Sequence, residues 1–178
     1  RPYQNSIFQY SLHVKQSEHS ELIHKEFLAD PIKDPRVELI EQLISDCGHS
    51  GDILVYNISF ERSRLHELIE QFPEHKDPLQ CIIERLKDLM IPFQNKWYYT
   101  PEMRGSYSIK SVLPALIPEL SYNDLNINDG GTASSTFQSM MNGSFKGDEL
   151  STRKDLLEYC KLDTYAMVKI IEKLKKSQ

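Results

Sequence analysis

The sequence predicts an α/β domain, and three observations carry that reading. Phe8, Tyr10, Leu12 and Val14 alternate with Gln9, Ser11, His13 and Lys15, the period of two of a half-buried strand. Asp52-Ile53-Leu54-Val55-Tyr56 is a short, apolar, β-branched run suited to a buried strand. Leu156, Tyr159, Cys160, Asp163, Met167, Ile170 and Ile171 recur at spacings of three and four, which makes one stripe of a helix without Gly or Pro.

The remaining elements follow in chain order. Arg1 to Asn5 reads as a loop entering the first strand, and Gln16 to Ser20 as a turn. Leu22, Ile23, His24, Phe27 and Leu28 supply the second strand of a hairpin. His13, His19 and His24 fit no zinc spacing and read as surface histidines of that hairpin. Asp34 and Pro35 start a helix whose apolar face is Val37, Leu39, Ile40, Leu43 and Ile44, and Gly48 stops it. After the strand at 52–56, Asn57 or Ser59 caps a helix with Leu65, Leu68, Ile69 and Phe72 on its core face. Asp77-Pro78 opens another, with Leu79, Ile82, Ile83, Leu86, Leu89 and Met90 as its stripe. Phe93 to Tyr99 is aromatic and predicts an edge strand or connector, with core packing as the main use of its rings. Ser106-Tyr107-Ser108 caps a helix through Ile109, Val112, Leu113 and Leu116. The stretch 121–146 is polar, with turns at 129–132 and 142–144 and a short helix at Thr136–Met141 between them. A final helix pair follows from Asp148 onward.

Composition bounds what such a domain does. A chain of 178 residues, 39% hydrophobic and 10% aromatic, is long and apolar enough for one domain with a substantial core, and it argues against disorder. No apolar run approaches the ~20 residues of a membrane span, and no signal-peptide pattern is visible. Cys47, Cys81 and Cys160 are widely spaced and odd in number, which suits reduced thiols in a cytoplasmic protein. A net charge of −5 does not suggest a broad nucleic-acid groove, yet it is compatible with an acidic metal site.

The chemistry concentrates on the last helix. Tyr159 and Asp163 are one helical turn apart on a core-facing stripe. A carboxylate there is costly unless paired. A divalent metal is one such partner and a hydrogen-bond network is the other. Glu61, by contrast, falls in the first turn of its helix, where an acid is favoured by the positive end of the macrodipole.

Three segments carry a resemblance. Tyr159-Cys160-Lys161-Leu162-Asp163 has the Tyr-x-x-x-Asp form of the third motif of DEDD-type 3′–5′ exonucleases, tyrosine subclass. Val55 to Leu65, with Asn57 and Phe60-Glu61, is similar to their second motif, in which the acid is usually Asp. Ser106 to Val112 resembles a segment between those two motifs in bacterial members of the ribonuclease-H-like superfamily. Together they resemble one uncharacterised bacterial domain family of that superfamily, usually found at the C-terminal end of larger proteins.

The resemblance implies a ribonuclease-H-like mixed sheet flanked by helices and a single domain over 1–178. It implies two-metal hydrolysis of phosphodiesters in single-stranded DNA or RNA, with Mg²⁺ or Mn²⁺. Asp163 and Glu61 would be metal ligands, and Tyr159 would position the attacking water, since a phenol is a weak base at neutral pH. Asn57, Arg104, Tyr107, Ser108 and Lys110 would contact the nucleic acid. The superfamily's Asp-x-Glu motif does not occur in this sequence. The expectation is therefore a domain cut after its first catalytic strand, with weak metal binding and negligible catalysis. The alternatives are a non-catalytic ribonuclease-H-like module that binds nucleic acid or a protein partner, such as other domains of a larger protein, and a purely structural domain.

Overall fold

A computed structural model describes residues 7–176, so the loop expected at Arg1 to Asn5 lies outside the described residues. The architecture is mixed α/β. Strands β1 (Gln9–Val14) and β2 (Ile23–Leu28) form an antiparallel hairpin, in register from Gln9↔Leu28 to Val14↔Ile23. The period of two then sorts its side chains. One face meets helix α1 (Arg36–Cys47): the Tyr10 hydroxyl donates to Asp46 at 2.7 Å, and Lys25 reaches the same carboxylate at 3.0 Å. The opposite face carries Ser11, His13 and His24, all half-buried. His13 and His24 are thus not the surface histidines that the hairpin reading predicts, whereas His19, in the turn, is exposed.

Helix α1 stops at Gly48, whose φ of 58 suits a residue without Cβ. Strand β3 (Ile53–Val55) then pairs in parallel with β4 (Leu86–Asp88), with Val55 opposite Asp88. Between them lie α2 (Ile58–Gln71), a 3₁₀ turn at Pro73–His75 and α3 (Lys76–Glu84). The helix predicted through Met90 therefore ends six residues early. Leu86 and Leu89 fit helical spacing, but the backbone of Leu86–Asp88 is taken by the β3 ladder instead. Arg85 fixes this exit: its guanidinium donates to the carbonyls of Cys47, Gly48, Ser50 and Gly51, tying the end of α3 to the loop that enters β3.

The described strands make two separate two-stranded sheets, not one continuous mixed sheet. No hydrogen-bonded strand links β1 to β3 among the described residues.

The chain beyond β4 is helical. Residues 91–99 are not an edge strand: α4 (Ile91–Gln94) and tight turns occupy them, Phe93 is buried and Trp97 is 73% exposed. A 3₁₀ turn at Pro101–Met103 leads to α5 (Ile109–Leu116). Helix α6 (Gly130–Met141) begins at the glycines predicted to be a turn, because Asp129 caps it by accepting from the Thr132 amide at 2.9 Å. One 27-residue helix, α7 (Glu149–Lys175), stands where a pair was expected, capped by Asp148. Its Thr164 hydroxyl lies 2.9 Å from Ser11 Oγ and 2.8 Å from His13 Nδ1, which satisfies the polar face of the hairpin.

Two apolar cores result. The first joins residues of both sheets with α1, α2, α3, α6 and Leu156 of α7. The second joins Phe93, Met103, α5 and Tyr122 with Ala166 and Ile170 of α7. Tyr159 packs against both.

Candidate functional site

The site is built at the junction of those cores, where α2 starts and α7 passes. The turn from β3 into α2 places Glu61. Asn57 stands at the N-cap in a left-handed conformation, φ 77, but neither its side chain nor that of Ser59 caps the helix. The cap comes from about thirty residues away: Asp88 at the end of β4 accepts from the amides of Asn57 at 3.1 Å and Ile58 at 3.0 Å, and also from that of Met90, at the start of α4, at 2.8 Å. The parallel pairing of Val55 with Asp88 delivers that carboxylate to the helix start, where the positive macrodipole also favours it. Glu61 follows one turn later.

Asp163 arrives from the other side on α7. Both acids are half-buried, and the charge of Asp163 reaches Glu61. Burial, then the charge of Asp163, pushes Glu61 up to about 6, and the Arg64 guanidinium opposes this. Burial also raises Asp163, against the hydrogen bonds of two phenols and the charge of Lys110. The Tyr122 hydroxyl donates to Asp163 Oδ1 at 2.7 Å. Tyr159, whose ring centroid is 6.2 Å from that of Tyr122, is a second partner of the same carboxylate. Both phenols are held well above their ordinary range, first by burial and next by Asp163, so they act as donors and positioners. Cys160 is likewise raised, by burial first and then by Asp163 and Glu61, which leaves it an inert thiol beside the pair.

Glu61, Tyr159 and Asp163, predicted from three motif positions, therefore do come together. Tyr122 belongs with them and was missed by sequence reasoning. Its only signal was a lone aromatic in a polar stretch, between Ser121 and Asn123.

The positions predicted for nucleic-acid contact divide. Lys110 is tied to the pair: its Nζ lies 5.9 Å from the Tyr122 ring centroid, and its charge reaches Asp163. Tyr107 is tied to the residue before Asn57, because the Tyr56 hydroxyl donates to the Tyr107 carbonyl at 2.7 Å. Ser108 is exposed at the N-cap of α5 and makes no side-chain cap hydrogen bond, unlike the expected capping role. Arg104 is exposed, left-handed at φ 52, and no described contact ties it to the carboxylates.

Oxygen donors of this kind suit a hard cation such as Mg²⁺ or Mn²⁺. Their number does not. Among the described residues no group of three His, Cys, Asp or Glu side chains is placed to hold a metal. Glu61 and Asp163 alone do not fit a two-metal centre. No helix of the described residues is long and apolar enough to cross a membrane.

Comparison with known proteins places the chain among relatives of unassigned activity. It is 37% identical over 94 residues to an uncharacterised protein of Ureaplasma parvum serovar 3, a match covering 47% of this chain and 14% of that relative. The chain thus spans a small part of that relative's length. No solved structure matches significantly. A family described as a domain of unknown function, DUF2779, matches residues 1–108, more than half of the sequence, and the chain belongs to that family.

Proposed function

We propose that this is a ribonuclease-H-like domain of the 3′–5′ exonuclease type, acting on phosphodiesters of single-stranded DNA or RNA. One observation carries the reading: Glu61 and Asp163, about a hundred positions apart in sequence, are both half-buried, the charge of Asp163 reaches Glu61, and two phenols address the Asp163 carboxylate. Pairing two acids at a cost in charge repulsion is what a phosphodiesterase centre needs, and folding alone gains nothing from it.

In this reading Asp163 is the oriented acid. Tyr122 pins its Oδ1, and the Tyr159 hydroxyl addresses the same carboxylate, where it would orient an attacking water. Glu61, raised to about 6, is partly protonated near neutral pH and titrates with its neighbour. A bound divalent cation would supply the Lewis acidity. These two acids alone would bind it weakly, because no third His, Cys, Asp or Glu is placed to join them among the described residues.

The second reading is a non-catalytic module that binds nucleic acid or a protein partner. The incomplete donor set and the net charge of −5 favour it. The deciding measurement is Mn²⁺-dependent digestion of 3′-labelled single-stranded DNA and RNA by the protein with its native flanking sequence, beside Asp163→Asn. Stepwise shortening that the variant loses supports the exonuclease. Binding of the same strands without shortening overturns it in favour of the module.

A further inference from the structure

We propose that the cavity between α5 and residues 121–128 is a binding site for one nucleotide unit carrying a terminal phosphate. It deepens the phosphodiesterase reading by naming where the released or terminal nucleotide sits, and it rests on that reading only for its role, not for its existence. The cavity has a volume of about 300 Å³ and is lined by Lys110, Pro114, Ser121, Tyr122, Asn123 and Asn128. That is the lower end of the range for ligand pockets, with room for a single nucleotide but not for a duplex.

The lining chemistry points to this ligand class. Lys110 is the one charged side chain of the wall, and no carboxylate belongs to the lining. An ammonium is a point charge for a phosphate. Asn123 and Asn128 each offer an amide with both donors and an acceptor, the combination that reads the edge of a heterocyclic base. Pro114 and the Tyr122 ring give apolar surface for a flat ring. A sugar phosphate would leave that apolar surface unused, and an unphosphorylated nucleoside would make no charged contact with Lys110.

Position adds a second argument. Tyr122 serves both places: its ring lines the cavity, and its hydroxyl donates to Asp163 at 2.7 Å. Tyr122 therefore links a nucleotide in the cavity to Asp163. Lys110 is held nearby, 5.9 Å from the Tyr122 ring centroid, and its charge reaches Asp129 as well as Asp163.

The test is a titration of the chain, followed by amide NMR shifts, with adenosine and uridine 5′-monophosphates, adenosine, inorganic phosphate and a short single-stranded oligonucleotide. Lys110, Asn123 and Asn128 are exposed, so Lys110→Ala, Lys110→Arg and Asn128→Ala leave the core intact, checked by circular dichroism. The expected result is binding of the monophosphates, weakened about tenfold by Lys110→Ala and partly restored by Lys110→Arg. Adenosine and phosphate should each bind more weakly than the monophosphate, with shifts at 121–128. Oligonucleotide binding that competes with the monophosphate assigns the site to a chain end, and absence of competition assigns it to free nucleotides. Equal binding of inorganic phosphate reduces the cavity to an anion site and overturns the proposal. So does monophosphate binding that ignores Lys110. Lys110-dependent binding without any strand shortening keeps the pocket and sinks the exonuclease, whereas shortening without it does the reverse.

Discussion

The two cores of this domain differ in how they are assembled. The first is layered, with a hairpin and a parallel strand pair under helices and the Phe8 and Phe137 rings stacked 4.3 Å apart. The second is made of helices and turns, closed by the far half of α7. Among the described residues neither core buries a charged side chain completely. The carboxylates lie where the cores meet, with Glu61 from the portion matched by the family and Asp163 from the portion beyond it. A fold that keeps both interiors apolar and places two acids at the junction has confined its unfavourable electrostatics to one cleft.

The strongest way to break that comparison is to hollow out each core separately. Phe137→Ala in the first should cost about 3–5 kcal/mol and Ile170→Ala in the second about 2–5 kcal/mol, read from urea unfolding. If the cores form one cooperative unit, each variant shows a single transition moved to lower denaturant. Two resolved transitions in either variant would show that the halves unfold independently, and the junction would then be a hinge.

A smaller effect sharpens the account of the first core's edge. Asp88→Ala removes the acceptor of two backbone amides at the start of α2 and of the Met90 amide at the start of α4, and should cost about 1–2 kcal/mol. Asp88→Asn should recover part of it. A variant as stable as the parent would mean that water caps α2 equally well, and Glu61 would lose its positioning device.

The smallest expected effect concerns pH. Glu61 has its folded value near 6, above its ordinary 4.5, so the folded protein holds that proton more tightly than the unfolded chain. The resulting stability is fully present below about pH 4.5 and is lost as pH rises through about 6. Glu61→Gln should therefore be more stable than the parent above this window, by about 1 kcal/mol, and should flatten the slope across it. Asp163 is raised as well and acts with the same sign, so some slope should persist. An unchanged slope in the variant would place Glu61 in contact with bulk water.

Much of this organisation was legible in the residues. Alternation marked the first hairpin strand and the turn after it pointed to the second, the apolar run marked β3, and spacing marked the core faces of α1, α2, α5 and α7. The Tyr159 and Asp163 pair was visible because a polar side chain on an apolar stripe requires a partner. What stayed hidden was long-range. Leu86 and Leu89 continue a helical period, and only pairing with β3 makes Leu86–Asp88 a strand. Asp88 reads as an unremarkable acid until the sheet brings it under the amides of α2. Tyr122 lies in a stretch whose composition signals turns, and nothing local to it foretells a bond to a residue forty-one positions on. The histidines of the hairpin looked exposed because an alternating strand does not say what covers its polar side.

The unbroken length of α7 has a mechanical consequence. Twenty-seven residues make a rod of about 40 Å, anchored near its start where Arg153 donates to the Leu28 and Ala29 carbonyls and further along by Ala166 and Ile170. Asp163 sits between those anchorages. The hairpin also grips Thr164, the next residue, so a pull on either end of the rod is resisted before it reaches the carboxylate.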